Sequence, residues 1–144
     1  TYQYFSSLME LASSVDTLIN VAPATGQTQN AVDSKILQAL GPNGVFINIG
    51  RGATVAEDEL ARALHDGTIA AAGLDVYANE PNVHDQLLTA PNTVLLPHIA
   101  SASVHTRAAM GQLVVDNLVG WFTERSVMTP VPETLHLVEN RSTT

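Results

Sequence analysis

Three short segments, FINIGRG, GLDVYANEP and LLPHIAS, each set one chemically capable side chain beside an apolar, strand-like run. The side chains are Arg51, Glu80 and His98. A cation that cannot lose its proton, a carboxylate and an imidazole that titrates near neutrality could together bind an organic acid and deliver a proton to it. Taken singly, each has an ordinary explanation. Arg51 could be a solvated loop arginine, Glu80 a surface acid before Pro81, and His98 a structural histidine after Pro97. Only a fold that brings the three together gives them joint chemistry.

The patterning supplies such a fold. Ser6 and Ser7 can cap a short helix carrying Leu8, Met9, Leu11 and Ala12, after which DTLINVA reads as a buried strand. PATGQTQNAV is a loop by its Pro, Gly and Thr content; Asp33 can then cap SKILQAL, and the Gly41-Pro42-Asn43-Gly44 run ends that helix. GVFINI is a second strand. Glu57, Asp58 and Glu59 favour the N-terminus of a helix over EDELARALHD, and Gly67 stops it. IAAAGLDV and TVLLP are a third and a fourth strand, separated by a polar loop around ANEPNVHDQ. Ser103 opens a long helix through Glu124 whose apolar positions suit core or subunit contact, and from Met128 a Pro-rich, then polar tail frays towards Thr144. Strands alternating with helices, each strand nearly continuous in apolar residues, predict an α/β fold with a parallel sheet covered on both faces. Ligands of open parallel sheets bind beyond the carboxyl ends of the strands. Arg51 follows GVFINI, Asp75 ends IAAAGLD and His98 follows TVLL, so all three fall at that edge.

Composition narrows the classes. The 144 residues suit one ordinary domain, and 45% hydrophobic content is enough for a core. With 14 acidic against 6 basic residues the net charge is −8, which argues against a nucleic-acid surface. Cysteine is absent, so no disulfide framework, thiolate zinc site or catalytic thiol is expected, in keeping with a cytoplasmic location. No apolar run approaches the roughly 18 residues of a membrane span, and TYQYFSSLMEL lacks the regions of a signal peptide. No metal site is expected either, because His98 and His105 lack the spacing and carboxylate partners of helical zinc sites. His65 suits a helix C-terminus, and His84, His105 and His136 read as surface residues. No G-x-S-x-G elbow supports a serine hydrolase.

FINIGRG, AGLDVYANEP and LLPHIAS, in that order and at these separations, closely resemble the C-terminal part of the D-isomer-specific 2-hydroxyacid dehydrogenases. The resemblance runs from DTLINVA to VMTPVPE, and the ALGPNGVFINIGRG and LLPHIAS wording looks most like the glyoxylate or hydroxypyruvate reductases within that family. It implies a Rossmann-like parallel sheet flanked by helices, incomplete here, with residues 1–126 as part of a dinucleotide-binding domain and 127–144 as a tail returning to a substrate domain. Arg51 would bind the substrate carboxylate and polarise its 2-keto group, a task suited to a guanidinium fork. His98 would be the general acid in reduction, and Glu80 would hydrogen-bond its imidazole, fix the tautomer and favour the protonated form.

The same resemblance places Asp75 against the nicotinamide carboxamide, with Ile49, Gly50, Arg51, His98 and Ala100 around the ring. Val21, Ala22, Pro23 and Thr28 would face the cofactor from the first strand-end loop, and Ser101 would lie on the substrate side, although Ser101 and Ser103 could equally be helix caps. The implied cofactor is NADP or NAD, NADP favoured; the implied partners are a small 2-oxo or 2-hydroxy acid and, in the complete protein, a second subunit of a homodimer. Two departures stand out. Ala100 occupies a position that is often glycine in the family, which would strain a backbone of positive φ there. No G-x-G-x-x-G follows a first strand, so the pyrophosphate turn, the residue selecting NAD or NADP and the start of the substrate domain are expected upstream of Thr1. The alternative reading is a nucleotide-binding or corepressor-like interaction protein, or an inactive fragment of the enzyme.

Overall fold

The computed structural model describes residues 2–136. They divide between two compact units, one up to Ala100 and the other from Ser101 onward. In the first unit α1 (Leu8–Ala12), β1 (Thr17–Asn20), α2 (Ser34–Leu40), β2 (Val45–Asn48), α3 (Glu57–His65), β3 (Ala71–Leu74), α4 (Asp85–Leu88) and β4 (Thr93–Leu95) follow in order. The four strands form one parallel sheet in the order β1-β2-β3-β4.

The local signals explain the helix ends. Ser7 Oγ accepts from the amide of Glu10 at the start of α1, and Asp33 Oδ1 accepts from those of Lys35 and Ile36 at the start of α2. Gly41 closes α2 with φ 82°, a conformation that a Cβ would strain. The expected polar loop between the last two strands holds one further helix, α4. It is four residues long and is secured by burial of Leu87, a tertiary gain that no local periodicity could announce.

Register decides which residues face the helices. Leu18, Phe46 and Ala72 stand opposite one another across three strands, as do Asn20, Asn48 and Leu74 one step on. The apolar members of these rows join Leu37, Leu60, Ile69 and Leu87 in one core cluster with the helices. The alternate residues face the other way, and Ile19 and Val94 there are 54% and 62% exposed. Coverage of both faces is therefore not what the first unit provides. The sheet is built in one direction, strand by strand, so right-handed crossovers put α2, α3 and α4 all on the same side.

The second unit is built on α5 (Val104–Glu124), opened by Ser103, whose Oγ accepts from the Thr106 amide at 3.1 Å. Arg125 ends it in the left-handed region at φ 57° and places its guanidinium 5.8 Å from the centre of the Trp121 ring. Asn117 holds the following segment through both ends of its amide, donating to Thr129 Oγ1 and accepting from the Thr129 amide. Met110, Leu113, Val114, Leu118 and Phe122 on this helix are exposed. A short 3-10 turn, Pro132–Thr134, follows. The fraying expected at Thr144 falls outside the described residues.

Candidate active site

Parallel strands deliver their carboxyl ends to one edge. β1 runs into Val21-Ala22-Pro23, β2 into Ile49-Gly50-Arg51, β3 into Asp75 and β4 into Pro97-His98. Ladder bonds continue one residue past the strands, from the amides of Ile49, Asp75 and Leu96 to the carbonyls of Asn20, Asn48 and Leu74. The loops therefore leave the sheet in register.

The Arg51 turn is braced from beneath by polar groups that the apolar wording of FINIGRG conceals. Asn48 is 1% exposed; its Oδ1 accepts from Asn20 Nδ2 at 3.0 Å and from the Gly50 amide at 3.1 Å, and its Nδ2 donates to the Arg51 carbonyl. Thr54, equally buried, donates to the same carbonyl and accepts from Asn20 Nδ2. Such a satisfied buried network specifies one backbone path. Two glycines then let the turn sit between its neighbours. A Cβ on Gly50 would lie 2.8 Å from the Ala22 carbonyl oxygen, and one on Gly52 would lie 1.9 Å from the carbonyl carbon of Tyr77. The Arg51 side chain is exposed, and its Nη1 donates to the Gly50 carbonyl at 2.7 Å.

Glu80 and His98, eighteen residues apart, meet directly: His98 Nδ1 and Glu80 Oε2 are separated by 2.7 Å. The other carboxylate oxygen of Glu80 accepts from the Tyr77 amide at 2.9 Å. The imidazole bond, then the Tyr77 amide, then the nearby charges of His98 and Arg51 hold the Glu80 carboxyl below its usual range. With Nδ1 engaged, the remaining ring nitrogen, Nε2, is the one available for proton transfer. His98 has φ 55°, a left-handed conformation uncommon outside glycine. The positive φ considered for Ala100 thus falls on His98 instead. Asp75, 3% exposed, holds that conformation by accepting from the Ile99 amide on Oδ1 and the Ala100 amide on Oδ2, each at 2.8 Å. Tyr77 ties the same strand ends together, its hydroxyl donating towards the carbonyls of Leu74 and Leu96, and its burial raises the phenol pKa.

Beside the pair lies an apolar cleft of about 340 Å³, lined by Tyr77, Val83, Leu88, Leu95 and Leu96 among others. At the opposite end of the edge Val21 and Pro23 are exposed, Ala22 and Thr28 are half-buried, and Thr28 Oγ1 closes the loop by donating to the Pro23 carbonyl at 2.6 Å. Ile49 is 46% exposed between these two regions. Ser101 begins the second unit, in the turn before α5, with Ser103 rather than Ser101 as the cap. His65 ends α3 as expected, whereas His84 is no free surface residue: its Nε2 pairs with Asp58 at 2.8 Å. Sequence reasoning missed Asn20, Asn48, Thr54 and Tyr77. A polar Asn in the middle of an apolar strand was the one available signal for Asn48.

A sheet edge carrying an arginine between two glycines and a carboxylate-backed histidine, on a one-sided parallel α/β unit, describes part of a Rossmann-like nucleotide-binding domain. Residues 1–100 match the family model for the NAD binding domain of D-isomer specific 2-hydroxyacid dehydrogenases, and the chain belongs to that family. Glyoxylate/hydroxypyruvate reductase A of Arabidopsis thaliana is 46% identical over 130 residues, covering 90% of this chain and 42% of the relative. Hydroxyphenylpyruvate reductase of Plectranthus scutellarioides shows the same identity and coverage. The crystal structure of an NADPH-dependent glyoxylate/hydroxypyruvate reductase from Sinorhizobium meliloti, in complex with NADP and malonate, superposes with a TM-score of 0.87 at 56% identity, covering 92% of this chain and 42% of that one. The chain thus spans about 42% of the length of these relatives.

The strand-end edge fits a nicotinamide cofactor. It offers exposed apolar side chains at Val21 and Ile49 for a ring, and a turn drawn tight against its neighbours by Gly50.

Proposed function

We infer that the full-length gene product is an oxidoreductase that reduces a small 2-oxo acid, glyoxylate or hydroxypyruvate, to the D-2-hydroxy acid with NADPH or NADH. The observation that carries this reading is the His98–Glu80 pair at 2.7 Å, held at the strand-end edge that also bears Arg51. The glyoxylate/hydroxypyruvate reductase activities of the relatives from Arabidopsis and Sinorhizobium support the substrate class, and the NADP complex of the latter supports NADPH as the cofactor.

The nicotinamide, when bound, supplies the hydride that goes to the substrate's carbonyl carbon. Arg51 takes the carboxylate of the acid with its exposed guanidinium and draws electron density from the adjacent keto group. His98 gives its Nε2 proton to the carbonyl oxygen as negative charge grows there, and takes the proton back in the oxidative direction. Glu80 holds the Nδ1 hydrogen, so the ring is aimed and its tautomer fixed. Val21, Ala22, Pro23 and Thr28 on one side, and Ile49, Gly50, Asp75 and Ala100 on the other, line the cofactor's path. Asp75 keeps a second lone pair on each oxygen for the carboxamide while anchoring the His98 turn. Ser101 serves the substrate side. Residues 1–126 form part of the dinucleotide-binding domain and 127–144 a tail, part of it returning to the substrate domain; the complete protein is a cytoplasmic homodimer.

Loss of nicotinamide absorbance at 340 nm on adding glyoxylate or hydroxypyruvate to the full-length product tests the reading. Consumption that requires His98 supports it. Cofactor binding without consumption of any 2-oxo acid would instead mark a nucleotide-binding interaction protein.

A further inference from the structure

Resting on the reading of His98 as the proton donor, we propose that Glu57 is a positioning residue for the Glu80–His98 pair, acting by holding the backbone of the turn that carries Glu80. Glu57 opens α3, on a different crossover from that turn. Its Oε1 accepts from the Ala78 amide at 2.7 Å. Ala78 lies two residues before Glu80, and the side chains of Ala78, Asn79 and Glu80 are all exposed, so side-chain packing does little to fix this stretch.

The turn is instead fixed by its backbone. Glu80 itself takes the Tyr77 amide, Glu57 takes the Ala78 amide, and the backbone of Tyr77 and Ala78 presses on Gly52 with no room for a Cβ between them. A carboxylate at the start of α3 is thereby linked through two consecutive amides to the group that meets His98 Nδ1. The three acids of this helix start have separate partners: Glu57 the Ala78 amide, Asp58 the His84 ring and Glu59 the Ser34 amide. Helix-dipole compensation alone would be served as well by a fully solvated acid. Glu57 is instead desolvated enough to raise its pKa, against the lowering effects of the Ala78 amide and His84, with Asp58 and Glu80 adding to the rise.

Two variants separate reach from charge. Glu57→Gln keeps an acceptor oxygen at the same distance and loses the charge; Glu57→Asp keeps the charge at the helix start and is one methylene short of Ala78. Nitrogen-15 NMR of the full-length gene product, with the His98 ring identified by its loss in His98→Gln, reads the bond at Nδ1 whether or not the protein turns over. The expected result is a wild-type His98 signal in Glu57→Gln and, in Glu57→Asp, a signal displaced towards that of Glu80→Gln. With glyoxylate, Glu57→Asp should lower kcat roughly tenfold, while KM changes by no more than about twofold and Glu57→Gln remains near wild type. A wild-type His98 signal in Glu57→Asp, or equal displacement in both variants, would overturn the role of Glu57. If the wild-type product reduces no 2-oxo acid, the enzymatic reading fails, and the NMR comparison still decides whether Glu57 sets the pair.

Discussion

Each residue at the strand-end edge has a task that its neighbours make possible. His98 can point one ring nitrogen outward because Glu80 holds the other, and it can keep φ 55° because Asp75 binds the next two amides. His98→Ala in the full-length product should lower kcat on the order of 10²- to 10⁴-fold with cofactor affinity retained, checked by turnover beside a fluorescence titration of the nicotinamide. Arg51→Lys keeps the charge and loses the fork, so kcat/KM should fall by on the order of 10²-fold, shown in saturation curves for the acid. Asp75→Asn turns one amide acceptor into a donor facing another donor; a loss of about 1–3 kcal/mol is expected in urea unfolding, together with slower turnover. Arg51, Glu80 and His98 were legible as candidates because their types are chemically conspicuous. Asn48 and Thr54 were not, since their role is to satisfy backbone groups whose position only the folded turn defines.

Among elements, the turn after β2 bears the closest packing. The glycines beside Arg51 are required by the chains on either side of them, Val21-Ala22 and Tyr77-Ala78, which belong to different crossovers. Gly52→Ala must push the Tyr77–Ala78 backbone away, and with it Glu80. The variant should lose about 2–3 kcal/mol, measured by thermal or urea unfolding, and its remaining folded fraction should turn over more slowly per molecule. A fall in stability with normal turnover per folded molecule would show that Glu80 is held independently of Gly52. Helix ends were readable in the sequence, as Asp33, Gly41 and Ser103 illustrate, because capping is local chemistry. α4 was not, because four residues have no period and Leu87 is helical through the core it enters.

For the whole molecule, two carboxylates titrate against one another. The folded pKa of Glu80 is depressed below its ordinary 4.5, so its stabilising contribution is present above about pH 4.5 and is lost as pH falls through the folded value. Glu57 has the opposite sign. Its folded pKa is raised above 4.5, so the cost of its charge is present at neutral pH and is relieved as pH falls through the raised value. Glu57→Gln should therefore be at least as stable as wild type at pH 7, with the difference vanishing towards pH 4; urea midpoints across that range check it. Among the described residues no helix is long and apolar enough to cross a membrane, and no group of three or more His, Asp or Glu could hold a metal ion.

The sequence by itself determined the alternation of strands and helices, the parallel sheet, the edge at which Arg51, Asp75 and His98 gather, and the family. The first three follow from hydrophobic period, capping chemistry and linear order, all of which are local or additive along the chain; the family follows from the resemblance carried by FINIGRG, AGLDVYANEP and LLPHIAS. Tertiary structure alone decided which face of the sheet the helices cover, that His98 and not Ala100 takes positive φ, and that Asp75 spends its carboxylate on two amides. It also decided that Glu57 reaches the turn of Glu80. Each of these depends on where a backbone amide from one crossover lies relative to a side chain from another, a distance that no spacing within the chain encodes.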